Sequence, residues 1–522
     1  MQTTIPLTRL GAAELASSIA AGDVSARETV DAHIDRIEEV DGQLNAVVLR
    51  RFGDARREAD QADAAHRRGE QLGPLHGVPV TIKDQFHVAG LPTTFGMARL
   101  ADRIAEQDGP MVAALRGAGA IVLGKTNVPP ALGAIETDNA VFGRTNNPWD
   151  LERTPGGSSG GDAALVAAAG IPLSLGADFG GSLRIPAAWC GVCSLTPTIP
   201  RLPIDRPPIR TGFSLDLAQT GPLARTTADI ALALRVLVDG VVAQPRGSTP
   251  PVPWRDLPET GVAALRVAVL PEIDGFTPSP AIRRALDEAA EALRAAGATV
   301  EVWDAAPDTG EGIAIALRMW TADGGTWLRQ LLGDEKPHPL IKADAQAASL
   351  PNVAVRALAS AMQATGQHRA AKLLRNVRKT SAGGLSDILG DRITYLESFM
   401  AALDAGGYDL VLSPAAPLPA APHGVTKDLP DAFMPAALFT TLGMPAGVLP
   451  LTRVRPGEES DRHDSKDRSL QAARRVEQGS AGLPVGVQIV ARHWREDLVL
   501  AAMQAIETEI SSLPDHPGLP PR

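Results

Sequence analysis

Two glycine-rich turns that carry serine, and one lysine closing an alternating stretch, are the residues of this chain that could do chemistry together. The first turn is Thr154-Pro155-Gly156-Gly157-Ser158-Ser159-Gly160-Gly161, and the second is Phe179-Gly180-Gly181-Ser182. The lysine is Lys83, in Gly77-Val78-Pro79-Val80-Thr81-Ile82-Lys83-Asp84. Glycine lets the backbone turn sharply and brings N–H groups close to a substrate oxygen. A serine at such a turn can present its hydroxyl beside those donors. Acyl transfer needs that pairing: an activated nucleophile and a cradle for the oxyanion. Taken singly, each motif has an ordinary reading. GGSSGG can be a tight strand-to-helix connection, and a strand-end lysine is usually exposed. Their co-occurrence points to catalysis.

Other chemistries fit less of the chain. Gly156-Gly157-Ser158-Ser159-Gly160 matches G-x-S-x-G, the nucleophile elbow of α/β-hydrolases, with His423 as the later histidine. That reading leaves the second glycine-serine turn unexplained. The phosphate-binding patterns G-K-[ST] and G-x-G-x-x-G are missing from the first turn. Cys190 and Cys193 form a C-x-x-C without a thioredoxin-like context. They read as two small buried residues, and two cysteines alone cannot hold a structural zinc. No metal and no cofactor is expected.

The elements that position these residues are legible from periodicity. Val78, Val80 and Ile82 alternate with Pro79, Thr81 and Lys83, which predicts a strand with Lys83 at its end. A helix is expected near Gly109-Pro110 and a buried strand at Ile121-Val122-Leu123-Gly124. A small-residue helix follows the first turn at Ala163 to Ala169. A strand from Leu173 to Asp178 leads into the second turn, and a new helix begins close by. Ser25 to Glu28 forms a capping box ahead of an amphipathic helix. Residues 239–262 read as a long surface connection, 305–400 as mainly helical, and 455–478 as a solvated helix and loop. Alternation of strand and helix predicts a large α/β fold, with a mixed, mostly parallel sheet sandwiched by helices on both faces.

Composition sets outer bounds. The chain has 522 residues, 44% hydrophobic and 21% charged, which suits a globular protein with a large core. A net charge of −10 argues against nucleic acid as a partner. No signal peptide or spanning helix is expected, so a cytoplasmic protein without strong membrane binding is predicted.

The two turns and Lys83 together resemble the amidase signature family. The densest block is GGSSGGDAALVAAAGIPLSLGADFGGSLRIPAAWCGVCSLTPT, and GVPVTIKDQFHVAGLPTTFG, TNVPPALGA, FGRTNNPW, TGPLARTTAD, MPAGVLPLTR and GLPVGVQIVAR agree as well. Within the family the chain is most similar to the fatty acid amide hydrolase-like branch. The charged insertion before GLPVGVQIVAR belongs to that likeness. The resemblance implies one amidase domain over 1–522, with a catalytic core at 70–200, a helical lid over the substrate pocket at 305–400 and a surface insertion at 455–480.

The resemblance also implies a Ser–cis-Ser–Lys triad. Lys83 matches the base, Ser158 the relay serine in a cis peptide, and Ser182 the nucleophile. Phe179, Gly180, Gly181 and Ser182 match the backbone oxyanion hole. Ser159, Asp178 and Arg184 match residues that order the site, and Leu132 and Ile135 match positions near the bound acyl group. A lysine of ordinary pKa, about 10.4, is protonated at neutral pH, so burial must lower it before it can act as a base. The implied activity is hydrolysis of linear acyl or aryl amides through an acyl-enzyme, with carbamate and ester cleavage alongside. The implied partner is a small amide, and relatives pair as homodimers. Two other readings stand beside this one: the amidase subunit of a glutamine-dependent tRNA amidotransferase, and a non-catalytic binding protein on the same scaffold. Gln85 and Thr196 depart from the family pattern, which has an apolar residue and a lysine there. By composition Lys125 is a solvated or structural lysine. Residues 351–379 read as helix packed on its own protein, with Val355, Leu358, Met362, Leu373, Leu374 and Val377 as its apolar side chains.

Overall fold

In the computed structural model, residues 5–205, 217–244 and 249–521 are described. Among the described residues, eleven strands form one continuous sheet. In chain order they are β1 (Val47–Arg50), β2 (Pro79–Lys83), β3 (Ile121–Thr126), β4 (Leu173–Asp178), β5 (Cys193–Thr196), β6 (Gln219–Ala224), β7 (Arg266–Val269), β8 (Thr299–Val302), β9 (Leu410–Pro414), β10 (Ala446–Arg453) and β11 (Pro484–Ala491). Their spatial order is β1-β3-β2-β4-β6-β5-β10-β11-β9-β7-β8. The sheet is mixed, and its parallel pairings are concentrated in two blocks, β3-β2-β4 and β9-β7-β8. Antiparallel ladders run through the middle, from β4 across β6, β5, β10 and β11 to β9. Parallel neighbours need long crossovers, and the chain makes these with helices such as Pro110–Gly117 and Pro280–Ala295.

Helices cover both faces. One large apolar cluster joins Val80, Ile82, Leu175 and Ala177 to side chains of the helices Pro110–Gly117, Thr227–Ala243, Pro280–Ala295 and Glu496–Ile510. On the opposite face a second cluster joins helices Ala26–Leu44, Gly160–Ala167 and Arg184–Cys190. The alternation in β2 therefore does not separate core from solvent. Every residue of β2 is buried, and Thr81 and Lys83 point into a helix-covered layer. A strand whose polar parity is buried must have partners for its polar atoms. That requirement creates the site.

The predicted elements are present with shifted ends. Ser25 caps Ala26–Leu44 by accepting from the Glu28 amide at 3.0 Å, and Glu28 reaches back to the Ser25 amide at 2.9 Å. The segment read as a connection from 239 begins as helix, because Thr227–Ala243 carries its apolar face on through Val241. Residues 245–248 of that connection lie outside the described residues. Residues 455–478 are docked rather than solvated: helix Arg468–Glu477 buries Ala472, Ala473 and Val476, and Arg284 grips Glu458 at 2.6 Å. In 351–379, Val355 and Leu373 are buried, while Leu358 is exposed. Among the described residues no helix is long and apolar enough to cross a membrane.

Candidate active site

Lys83 ends β2 only 1% exposed. Its Nζ donates to Ser158 Oγ at 2.8 Å and to the carbonyl of Ala177 at 3.0 Å. Burial lowers its pKa to about 8, against the opposing pull of Asp162 and Asp178. Ser158 is also buried and follows a cis Gly157–Ser158 peptide bond. Gly157 is required there by close approach, since a Cβ would lie 2.7 Å from the carbonyl oxygen of Ala134.

Ser182 stands at the mouth of this layer, half-buried, in the turn between β4 and helix Arg184–Cys190. The amide of Ser159 donates to the Ser182 carbonyl at 3.0 Å, which ties the two serine-bearing turns together. Ser159 Oγ leans on the Ala177 carbonyl at 3.4 Å. Gly181 has φ +119°, a conformation side chains rarely adopt, and its position is crowded by Ile185 and Ala436.

Asp178 organises the second turn from behind. Its carboxylate accepts from the amides of Gly181 at 2.8 Å and Leu183 at 3.0 Å. Arg184 holds the same carboxylate through Nε at 3.0 Å and Nη2 at 2.8 Å. Both side chains are buried. Burial pushes the Asp178 carboxyl up, but Arg184 and the two amides outweigh it, so the pKa lies below the usual range. Arg184 also donates to the Ala436 carbonyl at 3.0 Å and to Thr440 Oγ1 at 2.6 Å. This arrangement corrects one expectation. The Gly181 N–H is already engaged by Asp178, so it is not free to face a substrate oxygen. Among the described residues, the amides of Phe179, Gly180 and Ser182 have no protein acceptor.

Leu132 and Ile135 are half-buried and lie in a segment that borders the first turn. The backbone of Ala134 to Glu136 abuts Gly157, and Leu132 packs against the apolar cluster that contains Phe95, Leu328 and Ile341. Lys125 is fully buried, pairing with Asp84 at 2.6 Å, so its structural reading holds and its solvated one does not. His423, the rival base, makes no hydrogen bond to Ser158 or Ser182 among the described residues. It meets the Leu151 carbonyl at 3.2 Å and lies 3.5 Å from Glu136, which in turn accepts from the Gly424 amide and Thr426. The two cysteines are free and buried, and burial pushes both thiols well up. Thr196 leaves its hydroxyl without a partner among the described residues. Gln85 is buried, with its amide held at 2.6 Å by the Lys83 carbonyl.

Sequence reasoning missed three residues. Trp320, from helix Thr309–Thr321, stacks on Phe179 with ring centroids 5.1 Å apart and on Phe433 at 5.9 Å. It lies so close to Gly180 that a Cβ there would sit 2.9 Å from the indole. Asp162 and Ser174 lie beneath Lys83. The polar parity of β4 could have flagged Ser174; nothing local marks Trp320.

Known proteins share this architecture. The family described as Amidase matches residues 28–500. An acylamidase from Rhodococcus erythropolis is 33% identical over 502 residues, covering 94% of this chain and 93% of that one. A glutamyl-tRNA(Gln) amidotransferase subunit from Anaeromyxobacter sp. (strain K) is 32% identical over 521 residues, covering 98% of each. A solved fatty acid amide hydrolase superimposes with a TM-score of 0.81 at 25% identity, over 97% of this chain and 85% of that one.

Proposed function

Because this chain belongs to the Amidase family, whose members hydrolyse amides, we propose that it cleaves linear acyl or aryl amides with Ser182 as nucleophile, Ser158 as relay and Lys83 as base. The observation that carries the reading is the buried 2.8 Å contact between Lys83 Nζ and Ser158 Oγ. Neutral Lys83 takes the proton of Ser158, and Ser158 takes that of Ser182. Ser182 Oγ bonds to the carbonyl carbon, and the amides of Phe179, Gly180 and Ser182 receive the oxyanion. The C–N bond then breaks as the amine accepts a proton from Ser158, which Lys83 refills. Water releases the acyl group by the same route. Ser159, Asp178 and Arg184 hold the two turns in place. Trp320, Phe179 and Phe433 offer an aromatic wall beside Gly180. Trp320 belongs to the helical segment 305–400, which supports a lid role for that segment. Carbamates and esters, which share the reacting carbonyl, are expected side substrates.

Two results test this reading. A base must be deprotonated to act, so kcat/KM should rise with pH through about 8 and level off above it. A flat profile from acid to alkaline pH would remove Lys83 from the role, and Lys83→Met should abolish the activity that carries the limb. His423→Ala should cost about 1 kcal/mol of stability through its lost hydrogen bond and leave turnover within about tenfold. A dead but folded His423→Ala would restore the histidine reading.

A second reading, a component of a tRNA amidotransferase, draws on the similar identity to the Anaeromyxobacter protein. The charged insertion favours the first reading. Assaying the purified chain alone on L-glutamine, p-nitroanilides, aryl amides and fatty acyl amides separates them, since robust aryl or acyl amidase activity without glutaminase activity supports the first.

A further inference from the structure

A carboxylate without a place in the proposed reaction is buried in the same layer. Asp162 stands in the first turn of helix Gly160–Ala167 and is fully buried. Its Oδ1 accepts from Thr126 Oγ1 at 2.5 Å and from Ser174 Oγ at 2.6 Å. Ser174 accepts in turn from Thr81 Oγ1 at 2.9 Å. Thr81, Thr126 and Ser174 sit on the adjacent strands β2, β3 and β4, and Thr126 is the cross-strand partner of Lys83. Oδ2 of Asp162 has no hydrogen-bond partner among the described residues. A buried charge is costly unless a counter-charge accompanies it.

The other charged groups around this layer are already matched. Asp178 is held by Arg184, and Asp84 by Lys125. On helix Ala26–Leu44, His33 bonds the Thr29 carbonyl and burial lowers its pKa to about 4, while Asp41 takes the Ala46 amide and Arg50. Arg36 and Arg225 reach carbonyls at the far end of helix Gly160–Ala167, at Ala168 and Val166. Arg184 is the sole charged residue of helix Arg184–Cys190, and β6 contributes none. Lys83 feels the charges of Asp162 and Asp178, and of the two Asp162 is the one without a cationic partner of its own.

We propose that Asp162 is a positioning residue: the buried counter-charge that, anchored through Thr126 and Ser174 to three strands, sets the proton affinity of Lys83 and hence the pH at which the enzyme works. This rests on the reading of Lys83 as the base. The electrostatics agree. Burial pushes Asp162 up to about 6, and Lys83 down to about 8, with each charge opposing the other's shift. Between those values both are ionised and the lysine is held protonated. Above them the lysine becomes a base.

The test is the pH dependence of Ser182 labelling by a fluorophosphonate probe and of kcat/KM on a p-nitroanilide, in wild type, Asp162→Asn, Asp162→Glu and Ser182→Ala. Asp162→Asn should move the acidic limb of both profiles to lower pH by about one unit or more, so that activity low on the limb rises about tenfold relative to its own plateau. Asp162→Glu keeps the charge and should hold the limb near the wild-type position. A merely structural aspartate would lower stability and the plateau without moving the limb, and a folded Asp162→Asn with an unmoved limb overturns the proposal. Should Asp162→Asn fail to fold, Ser174→Ala decides. It removes a donor that favours the ionised carboxylate, so the counter-charge weakens and the limb should move the same way as in Asp162→Asn but by less, and an unmoved limb there overturns the proposal equally. Labelling that survives in Ser182→Ala refutes instead the reading on which the proposal rests.

Discussion

Ser182→Ala is expected to lower kcat for amide hydrolysis by a factor on the order of 10⁴ to 10⁶, the range seen when a serine nucleophile is removed from a coupled catalytic unit. The loss should be chemical and not structural. Ser182 is half-buried, and its side chain donates no hydrogen bond within the described residues. Its backbone carbonyl, which accepts from the Ser159 amide at 3.0 Å, is untouched by the substitution. The unfolding free energy should therefore stay within about 0.5 kcal/mol of wild type. Substrate affinity should persist, because the aromatic wall and the free amides remain. Single-turnover kinetics with a p-nitroanilide, together with loss of fluorophosphonate labelling, measure this. Retention of more than a few per cent of turnover by the purified variant would move the nucleophile elsewhere.

Asp178→Ala is the second large effect, and it falls on stability first. Removing the carboxylate strands Arg184 in a layer where both side chains are buried. Breaking one partner of a buried pair costs about 3–5 kcal/mol. The Gly181 and Leu183 amides lose their acceptor as well, so the turn that presents Ser182 should loosen and activity should fall with stability. Urea unfolding followed by tryptophan fluorescence gives the first quantity, and labelling of Ser182 the second. The pair also fixes a pH dependence. The folded pKa of Asp178 is depressed, so its stabilisation is present above the ordinary carboxylate range and is lost as pH falls through the lowered value. An Asp178→Ala protein with a wild-type urea midpoint would contradict this account.

Much of the site could be read in the sequence because it is local. β4 spans Leu173–Asp178, as periodicity predicts, and the turn after it holds Ser182. β2 ends at Lys83 as its alternation requires. The limits are physical as well. Periodicity shows that Thr81 and Lys83 share a face, but not that a helix of glycine and alanine covers that face. For the same reason Lys125 could be taken for a solvated side chain, although β3 is an interior strand and its lysine needed Asp84. Gly181 looked like a donor to substrate because a motif does not show which amides its own carboxylate consumes. Trp320 comes from a helix more than a hundred residues downstream, and only the tertiary fold brings it to Gly180.

The order of strands has a consequence for how the enzyme comes into being. β10 and β11 are the last strands to leave the ribosome, yet they occupy the middle of the sheet between β5 and β9. Arg184 meanwhile waits for the carbonyl of Ala436, for Thr440 and for Gln488. A nascent chain that stops short of Ala436 contains Lys83, Ser158 and Ser182, the residues of the proposed reaction, but lacks the partners that hold Arg184. The proposed nucleophile is therefore expected to stay dormant until the final strands slot in.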